Sequence, residues 1–446
     1  MSGLTGFGAG TPFPLTYEQD RFHTKTRSSG WSHKNVQLGF EILGDLDTGA
    51  LTDAVRAFVL RHDALHLQMA PAPGPHPQQW TRPIAADEEV VRCVNVKAAS
   101  PGQFSRYASA LLSRDCVTPW SYGTQRPFRI RLLRHDENHH ALLATFQNLV
   151  FDGRAHHLFG HEVWRDYQAL RNGEPLPDNA PSFAEAAVRQ RAKTGVRQRE
   201  RAVASWRERL AALTRLSWTA PAGSDHTEAG GMVGDELSGR TVAALRGTCA
   251  EFRFTVLQTT VGFFVAALAA RTGRTEIGLW TSMDSRSSRD ADVVGMFAGS
   301  CPLVVRDAAA DALSVRTQVR DQLLNALRHQ GLTAGDIAVL TREAEEVGGA
   351  PVNRDVYVNL RRFEGDSTVT DDGGRLRITD DAYPLQRITF HDRFALHLRC
   401  TEFRDRLCVD LLYDGRRADR RLARSILDDM LAGITAATGG ARPGAV

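Results

Sequence analysis

The stretch LLATFQNLVFDGRAHHLF, residues 142–159, decides the fold. Leu142 to Phe146 form a short apolar run, the pattern of a strand buried on both faces. From His157 the sequence HLFGHEVWRDYQAL continues with helical spacing. Asp152 and Gly153 mark the junction, a place where a strand hands over to a helix and displays side chains for chemistry. The strand ends on Gln147 and Asn148. Their amides donate and accept hydrogen bonds but do not titrate near neutrality, so neither serves as a general base. Two histidines, His156 and His157, follow on the helix.

Working outward, PFRIRLLRHDENHHALLATFQ reads as two strands around a polar turn. Upstream, PLTYEQDRF opens a helix at Thr16, NVQLGFEIL alternates like a strand, and Leu51, Val55, Phe58, Val59 and Leu65 recur at helical spacing. GEPLPDNAPSF, at 173–183, concentrates Pro, Gly, Asn and Asp and reads as a linker. Beyond it FAEAAVRQRAKTGVRQRERAVASWRERLAAL predicts one long helix with a solvated, Arg-rich face, and SDHTEAGGMVGD a flexible loop. The second half predicts a helix over TVLQTTVGFFVAALAARTG and strands over EIGLWTSM and MFAGSCPLVVRD. A helix at 313–328, the strand RDVYVNLRRF, an Asp- and Gly-rich loop, a strand pair and a closing helix from 419 follow. The expected class is α+β with mainly antiparallel strands, in two lobes: residues 1–175, holding the motif loop, and residues 176–446.

Composition narrows the function. Hydrophobic residues make up 42% and charged residues 24% of the 446 positions, the balance of a folded globular protein. Lysine plus arginine number 55 against 52 acidic residues, which gives no polyelectrolyte signature for nucleic acid or a membrane surface. The opening residues lack a signal-peptide pattern and no stretch reaches 18 uninterrupted apolar residues, so a cytoplasmic protein is expected. The six cysteines show no CxxC spacing and are expected as free thiols. Walker, GxGxxG, HExxH and GxSxG motifs are absent. HDENHH at 135–140 sits at a hairpin tip, and no metal site is expected.

Several fragments, in order, resemble one family. PLTYEQDRF, GDLDTGALTDAVRAFVLRHDALH, FQNLVFDG, WRERLAAL, GLWTSMDSR, VVGMFAGSCPLVV, HQGLTAGDI and YVNL are similar to blocks of the condensation domains of nonribosomal peptide synthetases, relatives of chloramphenicol acetyltransferase. The resemblance implies two chloramphenicol acetyltransferase-like lobes in a V, with a site between them. There a carrier protein's phosphopantetheine arm delivers an acyl thioester to an amine or hydroxyl acceptor. It implies no bound cofactor and a monomer. FQNLVFDG stands where the family has His-His-x-x-x-Asp-Gly, so Gln147 and Asn148 replace both histidines, Asn148 the one usually assigned to the attacking amine. Asp152 and Gly153 are kept, and the family pairs this aspartate with an arginine, here Arg286.

With the base missing, other groups become candidates for chemistry: His157, Ser300, which takes the place of the family's threonine, Cys301 beside it, and His391. Strand alternation sends Ser300 and Cys301 to opposite faces. A histidine such as His391 near Cys301 would lower the thiol's pKa and open a covalent acyl route. Tyr357 and Asn359 are candidate substrate-lining residues. The leading expectation is a carrier-protein-dependent enzyme that forms an amide, less often an ester, from a thioester-tethered donor and a small amine, in secondary-metabolite biosynthesis, with the carrier supplied in trans. A catalytically silent module that recruits a carrier or a tailoring enzyme is the alternative from another class. Cyclisation fits less well, since that branch of the family carries Asp where Gln147 stands.

Overall fold

A computed structural model describes residues 10–29, 35–70, 78–121, 123–193, 195–216, 230–363, 365–370, 375–383 and 394–439. In chain order they form β1 (Phe13–Pro14), α1 (Tyr17–Ser29), β2 (Asn35–Gly44), α2 (Thr48–Arg61), β3 (Leu67–Ala70), β4 (Gln78–Thr81), β5 (Val91–Asn95), α3 (Pro101–Val117), β6 (Phe128–Arg134), β7 (His139–Gln147), α4 (Gly153–Arg171), α5 (Phe183–Lys193) and α6 (Val196–Leu213). Then follow β8 (Gly231–Ser238), α7 (Gly239–Glu251), α8 (Val256–Thr272), β9 (Ile277–Asp284), β10 (Ala298–Val305), α9 (Ala312–Arg328), α10 (Ala334–Gly348), β11 (Val356–Arg362), β12 (Thr368–Thr370), β13 (Leu376–Thr379), β14 (Leu396–Glu402), β15 (Arg406–Tyr413) and α11 (Arg420–Ala437).

The chain divides into two compact units. Unit 1 comprises Met1–Thr194, Arg286–Ala298 and Ser367–Ile388; unit 2 comprises Gly195–Ser285, Gly299–Asp366 and Thr389–Val446. The Pro-rich run at 173–183 lies inside unit 1, because α5 beyond it is anchored there. Asp63, just past α2, accepts from Ser182 Oγ at 2.7 Å and from the backbone N–H groups of Phe183 and Ala184 at 2.8 and 3.1 Å, capping α5 from a distant segment. Phe183, Ala184, Ala186 and Ala187 then enter the unit 1 core. The long Arg-rich helix expected here is two helices, broken where Gly195 caps α6, and Arg189 of α5 is paired with Asp290 rather than solvated.

Unit 1 is built on a six-stranded sheet of order β12-β13-β2-β7-β6-β5. All its pairings are antiparallel except β5–β6. The central β7 is buried along its whole length. Its even positions, Leu142, Ala144 and Phe146, pack with α2 and α4 in the main core, while Ala141 and Leu143 face Phe104, Leu111 and Leu112 of α3. The Asp- and Gly-rich loop expected after RDVYVNLRRF instead contributes β12 and β13. The latter pairs with β2 from Leu376↔Gly44 to Thr379↔Glu41. Gly44 has φ +119°, and a Cβ there would lie 1.8 Å from Arg375 O, so only glycine admits the crossing.

Unit 2 has a sheet of order β10-β9-β11-β14-β15-β8, in which β11 runs parallel to β9 and β14 while β14, β15 and β8 are antiparallel. One face packs against α7, α8, α9 and α11 and the other against α6 and α10. Helix α8 is apolar all round and buried, with a Thr255/Gln258 capping box and a left-handed Gly273 at its end. The expected flexible loop before it is partly β8, whose Gly231–Asp235 pair with β15. The free edge of β10 is covered by side chains: Gln318 and Gln322 of α9 accept from the N–H groups of Arg306 and Val304 and donate back to their carbonyls. No single helix among the described residues is long and apolar enough to cross a membrane.

In unit 1 the contact of α2 with α4 is ionic as well as apolar. Arg61 donates to Glu162 at 2.7 Å and Asp166 at 2.8 Å, and His62 Nε2 lies 3.1 Å from Glu162. Burial raises the Glu162 pKa, but hydrogen bonds and charge from His62 and Arg61 outweigh it and hold the carboxyl at about 2 against an ordinary 4.5. A depressed folded pKa contributes stability that is complete above the ordinary value and lost as pH falls through the folded one. Thermal unfolding from pH 5 to pH 2 should therefore show a steeper loss of Tm for the native chain than for Glu162→Gln; parallel curves would remove this pair from the acid sensitivity.

Candidate active site

The motif turn hangs from the end of β7. Gln147 N donates to Pro127 O at 2.9 Å and Val150 N to Gln147 O at 3.0 Å, which fixes the backbone on both sides of Asn148. Leu149, Val150 and Phe151 are buried, with the Phe151 ring stacked on Phe146 at 3.9 Å. Asp152 then caps α4, accepting from Ala155 N at 3.0 Å. Gly153 opens the helix without a positive φ, so the strand-to-helix turn is made by the aspartate cap and not by left-handed glycine.

The Asp152 carboxylate does more than cap. It accepts from Arg286 Nη1 at 2.7 Å and Nη2 at 3.0 Å, and from Phe297 N and Ala298 N at 2.9 and 3.1 Å. Arg286 in turn donates to Val293 O and Gly295 O and lies over the Phe297 ring at 4.6 Å. A buried, bidentate ion pair with backbone donors filling the remaining lone pairs is the arrangement that offsets desolvation of both charges. The turn has a second anchor from α1: Gln19 Nε2 donates to Leu149 O at 2.7 Å, while Thr16 Oγ1 donates to Met296 O at 3.0 Å. Thr16 and Gln19 also cap each other's backbone, in the Thr-x-x-Gln pattern of a capping box. That pattern is readable in PLTYEQ; its grip on Leu149 is not.

The two amides behave differently from this scaffold. Gln147 is buried and Asn148 half-buried, and among the described residues neither side chain makes a hydrogen bond to protein. Neither amide is among the buried side-chain groups left without a partner, so both are open to solvent. Of the two histidines that follow, His156 is buried with Nε2 3.6 Å from Asp380, and His157 is half-buried with its ring 6.4 Å from that of His161 one turn on.

The remaining candidates lie in unit 2. Ser300 is half-buried on β10, while Cys301 is 0% exposed and packs with Leu303 and Val305 in the unit 2 core. Tyr357 stacks on Phe394 at 4.7 Å and meets His397 edge-on at 5.1 Å. Asn359, on the same face of β11, accepts from Ser282 Oγ at 3.0 Å. His391 lies outside the described residues. No group of three metal-ligating side chains is found among the described residues.

Since Asp152 and Arg286 are both nearly inaccessible, Asp152→Ala should leave a buried guanidinium unpaired and lower the stability of the chain by about 3–5 kcal/mol. Urea unfolding measures this, and a loss within 0.5 kcal/mol, roughly that of an ordinary surface change, would mean the clamp is dispensable.

Comparison with known proteins follows the same lines. The N-(5-amino-5-carboxypentanoyl)-L-cysteinyl-D-valine synthase of Penicillium rubens is 22% identical over 394 residues, which is 86% of this chain and 10% of that protein's length. The chain thus spans only a small part of the synthetases it matches. Among solved structures, the first condensation domain of the calcium-dependent antibiotic synthetase, in complex with a substrate analogue, superposes with a TM-score of 0.77 at 16% identity over 98% of both chains. The X-domain in its complex with OxyB from teicoplanin biosynthesis gives 0.69 at 20% identity over 98% of this chain and 96% of that one. The condensation-domain family model matches residues 11–439, and the chain belongs to that family.

Proposed function

We propose that the chain is a carrier-protein-dependent condensing enzyme that joins a donor tethered as a thioester to a phosphopantetheine arm to a small amine, forming an amide, or less often to a hydroxyl, forming an ester. The observation that supports this reading is the split character of the motif: the Asp152 clamp holds the turn through five donors, while among the described residues the Gln147 and Asn148 amides make no hydrogen bond. A scaffold this complete, with free polar groups at its tip, suits the positioning of reactants.

The chemistry tolerates the missing histidine. The amine lone pair attacks the thioester carbonyl, the C–N bond forms, the C–S bond breaks with its electron pair on sulfur, and the departing thiolate takes the proton the amine releases. General-base help contributes roughly 10²- to 10⁴-fold, whereas orientation supplies effective molarities on the order of 10⁵ M or more. In this reading Asn148 orients the amine or the thioester carbonyl and Gln147 supports it. A second reading, a silent module that recruits a partner, draws support from the likeness to the X-domain, whose solved structure is a complex with another protein.

Intact-protein mass spectrometry of acyl-loaded carrier proteins mixed with this chain and a pool of amines separates the two. Loss of acyl mass with a matching amide product supports the enzyme; a carrier that binds and keeps its acyl group supports the module. A lasting acyl adduct on this chain that Cys301→Ser abolishes would instead establish the covalent route. In an active pair Asn148→Ala should lower turnover about 10- to 100-fold with Tm unchanged, and an equal rate would remove Asn148 from the mechanism. The pH profile of kcat/KM should rise with pH as the acceptor ammonium loses its proton and lack a break near 6.5, the ordinary histidine value. Asn148→His should introduce one.

A further inference from the structure

Within unit 2, helix α9 lays a row of polar side chains along the edge of β10. Gln318 exchanges hydrogen bonds with the backbone N–H and C=O of Arg306, and Gln322 with those of Val304. Helix and strand run in opposite directions here, so four residues of α9, about 6 Å, match two residues of β10, about 6.6 Å. The next edge position is Pro302, which has no N–H to offer. Asn325, the following member of the row, takes other partners instead. Its Oδ1 accepts from Ser205 Oγ at 3.0 Å and from Arg209 of α6. Burial holds the Arg209 guanidinium below the ordinary arginine value, with Cys301 and then Glu208 opposing the shift. The group bonded to Asn325 therefore stands close to the strand at 301.

One turn further along the row is His329, the C-terminal cap of α9. Its Nδ1 lies 2.9 Å from both Asn325 O and Asn325 Oδ1. Arg209 can only donate, which identifies the amide oxygen, so both neighbours of Nδ1 are acceptors and Nδ1 carries the proton. In the neutral ring Nε2 then presents a lone pair, and among the described residues no donor meets it. The same step along β10, from Val304 through Pro302, reaches Ser300. Alternation puts Ser300 on the sheet face of Val304, which packs with Trp206 and Leu210 of α6. Leu332, three residues after His329, is buried in that same cluster, so the chain turns onto this face as it leaves α9. Ser300 is half-buried and its Oγ makes no hydrogen bond among the described residues.

We propose that Ser300 is a nucleophile, with His329 Nε2 as its base and Asn325 as the residue that orients the base, and that this row gives the chain a hydrolytic activity toward small thioesters that needs neither amine nor carrier. A hydroxyl, an imidazole and a third group that fixes the imidazole's tautomer are the parts of hydrolases that act through an acyl-enzyme. Ser300 Oγ attacks the acyl carbon while Nε2 takes the hydroxyl proton. The C–O bond forms, the C–S bond breaks with its electron pair on sulfur, and the leaving thiolate takes the proton from the imidazolium. Water then attacks the acyl-serine carbonyl as Nε2 takes a proton from it. The C–Oγ bond breaks, Ser300 Oγ regains a proton from the imidazolium, and the carboxylic acid leaves.

The test uses the full chain without a carrier. A fluorophosphonate probe is incubated with it, the adduct is located by peptide mapping, and hydrolysis of an N-acetylcysteamine thioester is followed in the absence of amine. Ser300 should be labelled, at a rate that rises with pH through one break in the histidine range, about pH 5 to 8. His329→Gln should slow labelling and hydrolysis about 10²- to 10⁴-fold and remove the break. Asn325→Asp should move the break upward, because a carboxylate beside an imidazole favours its charged form. Ser300→Ala, which removes one oxygen, should abolish both reactions with Tm unchanged. No adduct on Ser300, or an equal labelling rate in His329→Gln, overturns the proposal. A native profile without the break does so too, even where the histidine variant fails to fold. A chain that makes amide from a loaded carrier but never labels at Ser300 sinks this proposal alone and leaves the condensing enzyme standing.

Discussion

The Asp152 carboxylate is the constraint on which the rest of unit 1 depends. One anion gathers the start of α4, the guanidinium of Arg286 and the backbone of Phe297 and Ala298, and so ties α4 to the segment Arg286–Ala298, which is far from it in sequence. Its five donors satisfy a charge that would otherwise be prohibitive to bury. The residues it brings in, Val293, Val294, Met296 and Phe297, pack into the same core as Phe151 and Phe159. The electrostatic knot and the apolar core therefore stabilise one another.

This arrangement separates geometry from chemistry. The turn at 148–151 is held by backbone hydrogen bonds at Gln147 and Val150, by Gln19 on Leu149 O and by the aspartate, none of which uses the side chains at 147 or 148. Those two positions are free to change identity at little cost to folding. A turn that keeps its shape while exchanging imidazole for amide loses proton transfer and retains hydrogen bonding.

Much of the fold was legible because local signals agreed. The apolar run of β7, the aspartate cap of α4, the heptad-like spacing of α2 and the apolar length of α8 each point one way. What escaped was set by distant partners. β12 and β13 lie in a polar Asp- and Gly-rich stretch, and only their pairing with β2 makes them strands. The Arg-rich run looked continuous because arginine is a good helix former, yet Gly195 ends it. In the site, the Asp152–Arg286 pair came from family resemblance, and alternation foretold that Ser300 and Cys301 diverge. The N–H groups of Phe297 and Ala298 left no trace, since backbone donors have no sequence signature. His156, more buried than its neighbour and close to Asp380, needed the fold to single it out.

The crossing at Gly44 bears on how the chain is made. β2 leaves the ribosome long before β13, its neighbour in the sheet. Until the later strand emerges β2 has an unoccupied edge, and the sheet stays incomplete while the whole of the intervening chain is synthesised. Long-range pairing of this kind slows folding and leaves an open edge exposed to wrong partners. A fragment ending at Thr194 would carry that open edge permanently, so the first unit is not a severable module, however compact its contacts make it look.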